Sequence, residues 1–204
     1  MIRVLLADDH QIVRDGLKGI LAATSDIAVA GEAADGDAAL ALVRAHDFDV
    51  AMLDLSMPGL AGIDLIKRLK AEKPKLPLLV LSMHGEQQYA ARALKAGASG
   101  YLTKDSAAEQ LVGAIRKLAA GGVHISEAAA ASLVAAERAP HQALSDREFE
   151  VLRLLAAGLG PTEIGARLHL SVKTISTHKT RILEKLGLRS TADLVRYALE
   201  NKLL

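Results

Sequence analysis

Three aspartates, a serine and a lysine carry the most evident chemistry in this 204-residue sequence. Asp8 and Asp9 follow an apolar run at 2–7, and Asp54 follows another at 50–53. Ser82 follows a run at 76–81, and Lys104 comes just after one at 99–102. Carboxylates brought close together repel and need a counter-ion. An oxygen-only donor set favours a hard cation, Mg²⁺. Such a pocket suits phosphoryl transfer to a carboxylate. Asp54 would be the nucleophile, and the metal and Lys104 would offset charge on the phosphoryl oxygens. Any one aspartate after a strand is often just a helix cap. A lone serine or lysine there is often a solvated loop residue. The informative feature is that all five fall at the ends of apolar runs.

Those runs, with a further one at 27–31, are of strand length and lack strict alternation. That is the pattern of strands covered on both faces. Amphipathic stretches at 11–23, 35–45, 62–71, 86–96 and 107–120 lie after them. Five β-α repeats predict a doubly wound five-stranded parallel sheet with functional loops at the carboxyl ends of its strands. The first and third strands of such a sheet are often neighbours, which would bring Asp8, Asp9 and Asp54 to one edge.

Gly121 and Gly122 end the repeat, and an alanine-rich stretch at 126–138 has helical character before Pro140 breaks it. The predicted organisation is an α/β domain over 1–120, a partly helical linker over 121–142 and a small all-α domain over 143–204. In the last part, Ser145 with Glu148 forms a capping box. Pro161 suits the first turn of a second helix. Ser171 caps a third, and Ser190 or Thr191 a fourth. Four short helices with a tight turn between the second and third predict a helix-turn-helix.

The third of these helices reads SVKTISTHKTRILEKLG from Ser171. At about 100° per residue, Val172, Ile175, Ile182 and Leu186 share one face. Lys173, Thr177, Thr180 and Arg181 point broadly the other way. Cations that neutralise phosphates, beside small hydroxyls that approach base edges, suit the major groove of DNA. Periodicity alone fits a solvated amphipathic helix somewhat better.

Composition limits the alternatives. The chain has no cysteine, so disulfides and thiolate metal sites are excluded. It has no run of about 18 uncharged apolar residues and no recognisable signal-peptide core, so a cytoplasmic protein is expected. Net charge is −1 over residues 1–121 and +3 over 142–204, a mild basic bias where DNA contact is expected.

Residues 1–120 resemble the receiver domain of two-component systems, with a flavodoxin-like fold. The resemblance rests on ADDH at 7–10, LDLSMPGLAGID at 53–64, LSMH at 81–84 and GYLTKD at 100–105. It implies Asp54 as phosphoacceptor, with Mg²⁺ held by Asp9, Asp54 and the Ser56 carbonyl, and by Asp8 through water. It also implies Ser82 and Tyr101 as a switching pair and Lys104 as the phosphoryl-holding cation. Pro58 and Gly62 fit the loop that follows. Met83 and His84, just beyond Ser82, are candidates to tune the acyl phosphate's lifetime or simply to pack the loop.

Residues 144–199 resemble the LuxR-type domain of NarL/FixJ regulators. The motifs are LSDREFEVLRLLAAG, EIGARL, SVKTISTHKTRILEKLGL and ADLVRYAL. The resemblance places Ser176, Thr177 and Thr180 toward bases and Lys173, Thr174, Lys179 and Arg181 near phosphates. It gives His178 a partly structural role. The last helix, with Thr191, Leu194, Val195 and Leu199, becomes a dimerisation surface, and ordinary core packing is compatible with that. Gly160-Pro161 departs from the small polar residues usual in that turn, where Thr162 remains able to contact phosphate.

Together the two resemblances imply a response regulator. A sensor histidine kinase would phosphorylate Asp54 and switch homodimerisation and binding to inverted-repeat double-stranded DNA. No enzymatic turnover beyond self-catalysed phosphorylation and dephosphorylation is expected. A phosphohydrolase of the haloacid-dehalogenase type would need a second aspartate two residues after the nucleophile, and that position is Ser56. An interaction module that has lost DNA binding fits poorly with the intact polar face at 173–181.

Overall fold

A computed structural model describes residues 1–57, 59–60, 62–82, 87–104, 106, 108–125, 140–201 and 203. The chain divides into two compact units, residues 1–130 and 131–204. The expected helix at 126–138, Pro58 and the pair Met83–His84 lie outside the described residues.

In the first unit, strands and helices alternate in the order β1 (Ile2–Ala7), α1 (Gln11–Ala22), β2 (Ile27–Ala33), α2 (Gly36–Ala45), β3 (Val50–Asp54), α3 (Gly62–Glu72), β4 (Leu78–Ser82), α4 (Gln87–Lys95), β5 (Gly100–Thr103) and α5 (Ala108–Ala119). The strands form one parallel sheet in the order β2-β1-β3-β4-β5. Every residue of β3 is buried, as its unbroken apolar run requires. Val4, Leu6, Val50, Met52, Leu79 and Leu81 pack against Leu111, Ile115 and Leu118 of α5. β4 begins two residues later than its apolar run because Pro77 has no N–H to give the ladder; its carbonyl still accepts from the Ala51 N–H.

The order of the strands places β1 beside β3 and β3 beside β4. Their carboxyl ends therefore lie side by side at one edge of the sheet. Asp35 caps α2 by accepting the Ala38 N–H. Arg14 of α1 is buried, and its guanidinium donates to the Asp8 carbonyl at 2.6 Å, which fixes α1 against the end of β1.

The second unit holds a 3₁₀ turn (Pro140–Ala143) and helices α6 (Asp146–Ala156), α7 (Pro161–Leu168), α8 (Val172–Leu186) and α9 (Thr191–Glu200). Ser145 and Glu148 form the capping box of α6. Gly160 precedes α7, and its N–H donates to Glu163 Oε2 at 2.7 Å. Ser171 caps α8, and Ser190 caps α9. Phe149, Leu152, Ile164, Ile175, Ile182 and Leu194 are fully buried and form the core. The α7–α8 turn is tight. A Cβ on Gly165 would lie 2.7 Å from the Leu170 carbonyl oxygen, so glycine sets how closely α8 follows α7. No described helix is long and apolar enough to cross a membrane.

Candidate functional site

The pocket at the sheet edge is built from the strand ends upward. Ala7 stands opposite Leu53 in the β1–β3 register, so Asp8 and Asp54 leave adjacent strands. Asp8 is fully buried and Asp54 is 2% exposed. Lys104, just past β5, reaches across β4 to both. Its Nζ lies 2.6 Å from Asp8 Oδ2 and 2.9 Å from Asp54 Oδ2. The other oxygen of each carboxylate meets a backbone donor. The His10 N–H donates to Asp8 Oδ1 at 2.9 Å, and the Ser56 N–H donates to Asp54 Oδ1 at 3.1 Å. Ser82 ends β4 opposite Thr103, and its carbonyl accepts from the Lys104 N–H at 2.7 Å.

Burial pushes the Asp54 carboxyl above the usual carboxylate range, and the bonds from Lys104 and Ser56 only partly counter it. The nearby Asp8 charge adds to the rise. Burial works against the Lys104 ammonium, but its bonds to Asp8 and Asp54 outweigh that and hold its pKa above the usual lysine value. The pocket thus has one cation facing two carboxylates, and a further positive charge would relieve it.

Asp8, Asp9, His10 and Asp54 each offer one ligand atom, all within 4.8 Å of one another. Asp9 Oδ1 is buried without a hydrogen bond, although His10 Nδ1 lies 2.8 Å away. Carboxylate oxygens clustered in this way fit a hard divalent cation. The sequence reading did not single out His10. Its signal was its place directly after Asp8 and Asp9. Tyr101 of β5 is 6% exposed, so its side chain is buried.

A second candidate site lies on α8. Lys173, Ser176, Thr177, Thr180 and Arg181 are exposed, and Thr174 and Lys179 are partly so. Three hydroxyls donate to the carbonyl four residues back: Ser176 to Val172, Thr177 to Lys173 and Thr180 to Ser176, at 3.0–3.1 Å. With their protons used this way, these hydroxyls present lone pairs outward. Ile175 and Ile182 anchor the opposite face, while Val172 is 46% exposed and does not join the core as its periodicity suggested. His178 is half-buried, as a partly structural residue would be. Burial lowers its pKa, and Arg147 and Arg181 add to this against an opposing effect of Glu148. Lys185 Nζ contacts the buried Glu148 at 2.6 Å and ties the end of α8 to the start of α6.

The four residues expected at a dimer surface separate on α9. Leu194 is fully buried in the core, Thr191 and Val195 are half-buried, and Leu199 is 60% exposed. Leu194 is committed to the interior, and Leu199 is the exposed apolar residue of the four.

Residues 4–116 match the model of the response regulator receiver domain, and residues 142–198 match that of bacterial regulatory proteins, luxR family. The oxygen regulatory protein NreC of Staphylococcus carnosus (strain TM300) is 38% identical over 215 residues, covering 100% of this chain and 99% of that protein. A structure of RcsB from Salmonella enterica serovar Typhimurium, bound to promoter rprA with the phosphomimetic BeF3-, is 34% identical with a TM-score of 0.72. It covers 96% of this chain and 97% of that one. A structure of two RcsB dimers bound to two parallel DNAs is 35% identical with a TM-score of 0.61, covering 96% of each chain.

Proposed function

The chain belongs to the two-component response regulators with a luxR-type DNA-binding domain, and from that premise we propose that phosphorylation at Asp54 controls its binding to DNA. The observation that carries this reading is the contact of Lys104 with both Asp8 and Asp54 at the carboxyl edge of the sheet. A sensor histidine kinase would present a phosphohistidine. An Asp54 oxygen attacks its phosphorus, the P–N bond breaks, and the electron pair returns to the imidazole. The product is an acyl phosphate on Asp54. Lys104 exchanges a carboxylate partner for a phosphoryl oxygen, and Ser82 offers its hydroxyl to another.

Mg²⁺ held by Asp8, Asp9, Asp54 and the Ser56 carbonyl would offset phosphoryl charge when bound. Water later cleaves the acyl phosphate, which resets the switch without turnover of an external substrate. Ser82 and Tyr101 would read the phosphorylated state, and Tyr101 would do so by being held in its buried position.

Activated chains would pair through α9, where Leu199 is the exposed apolar residue. The two α8 helices would then read inverted half-sites about one helical turn apart on double-stranded DNA. The likeness to RcsB, solved as two dimers bound to two parallel DNAs, supports a dimer on DNA. Lys173, Thr174, Lys179 and Arg181 would face phosphates, and Ser176, Thr177 and Thr180 would face bases. The site of action would be the cytoplasm.

The test is intact-mass measurement after incubation with a small-molecule phosphodonor and Mg²⁺. The wild-type chain should gain one phosphoryl group and Asp54→Asn none. Equal labelling of the variant would place the acceptor elsewhere.

A further inference from the structure

β5 is an edge strand of the sheet, yet the described structure does not leave that edge bare. Beyond α5 the chain turns at Gly121 and returns alongside it. The His124 N–H donates to the Ser99 carbonyl at 3.0 Å, and the Tyr101 N–H donates to the His124 carbonyl at 3.1 Å. Gly100 and His124 form a parallel bridge. Residues 122–125 therefore meet β5 through one isolated bridge, at a single point.

That point surrounds Gly100 and involves the backbone of Tyr101 itself. A Cβ on Gly100 would lie 2.9 Å from Leu79 Cδ1 and 3.1 Å from the His124 carbonyl oxygen. Glycine there lets the β4 side chain and the returning chain both approach. Besides its ladder with β4, β5 is thus held at two further places. Near its far end, the Lys104 N–H binds the Ser82 carbonyl beside the Asp54 pocket. At Tyr101 it binds the chain that leads on to the DNA-binding unit. These grips lie roughly 10 Å apart along an extended strand.

Resting on the reading of Asp54 as phosphoacceptor, we propose that residues 122–125 position Tyr101 and carry the phosphorylated state of β5 into the tether of the DNA-binding unit. A phosphoryl group held by Lys104 and Ser82 steadies the pocket end of β5. The strand is short and stiff, so its Tyr101 end is steadied with it, and the bridge to His124 closes more firmly. Val123 is 50% exposed, and a bridge of two hydrogen bonds at such a rim opens readily unless β5 is fixed.

The test is residue-resolved hydrogen exchange on the full chain, with and without beryllofluoride and Mg²⁺, beside phosphate labelling and sedimentation. The Tyr101 and His124 amides should slow together by about tenfold, the ratio one net hydrogen bond supports. Asp54→Asn should show no such slowing. His124→Pro removes the donor to Ser99. It should still label at Asp54, yet lose the slowing at Tyr101 and the beryllofluoride-induced dimer. His124→Ala keeps the backbone bonds and should restore both. If Asp54 labels while the two amides respond separately or not at all, the clamp is wrong. The same holds if His124→Pro dimerises as wild type does. Failure of Asp54 to label would overturn the acceptor reading and the clamp with it.

Discussion

Lys104 Nζ sits 2.9 Å from Asp54 Oδ2 while also holding Asp8 at 2.6 Å, so a single ammonium is shared by two buried carboxylates. Removing it leaves both without their cation. Lys104→Met should lower the stability of the receiver unit at pH 7 by roughly 3 kcal/mol, the scale of a broken buried pair. Urea unfolding measures this, and added Mg²⁺ should recover part of the loss. A variant as stable as wild type without Mg²⁺ would show that the contact is electrostatically idle.

The sign of the Asp54 shift sets a pH dependence. Its folded pKa is raised, chiefly by burial, so the folded state holds the proton more tightly than the unfolded chain. Its contribution favours the fold below the unfolded value of 3.8 and is lost as pH rises through the folded value. Asp54→Asn should therefore unfold at a higher temperature than wild type at pH 7, with the gap narrowing toward pH 4. A gap that widens on acidification would reverse the assignment.

Glu148 behaves in the opposite way. Burial disfavours its charge, but bonds from Lys185 and Ser145 more than compensate, and its pKa lies below the usual glutamate value. Its stabilisation is present above the unfolded value of 4.5 and is lost as pH falls through the folded one. Glu148→Gln should cost about 1.5–3 kcal/mol at pH 7, the worth of a charged hydrogen bond. Hydrogen exchange of the α6 amides should show it, with a flatter acid response. Unchanged exchange would mean that Lys185 does not hold α8 to α6.

On α8, cations and hydroxyls should separate experimentally. Lys179→Ala with Arg181→Ala should weaken binding to all sequences and reduce the salt slope by roughly 1.8, two phosphate contacts' worth. Thr177→Val should alter sequence preference and leave the slope alone. Electrophoretic mobility shifts across a salt series distinguish these outcomes. Equal slopes in the double variant and wild type would move the phosphate contacts off this face.

The pocket was legible because a parallel sheet converts sequence into position. Once β1 and β3 are neighbours, residues after their last apolar positions must meet. Asp8 and Asp54 needed no further information, whereas Ser82 and Lys104 join them because β4 and β5 follow β3 in the sheet. His10 was less visible because its exposed side chain carries no periodic pattern. Leu194 and Leu199 looked alike in sequence, and only packing separates the buried one from the exposed one. Val172 fits the apolar stripe of α8, but it stands in the first turn and remains half-exposed. The return of residues 122–125 to β5 depends on backbone hydrogen bonds, which a side-chain pattern does not encode.

The central claim is that the state of Asp54 governs DNA binding by the second unit. Genomic fragments captured by the 204-residue chain, with and without beryllofluoride and Mg²⁺, test it most directly. The account predicts inverted-repeat fragments enriched with beryllofluoride for wild type and no such enrichment for Asp54→Asn. Equal capture by both proteins under both conditions would contradict it.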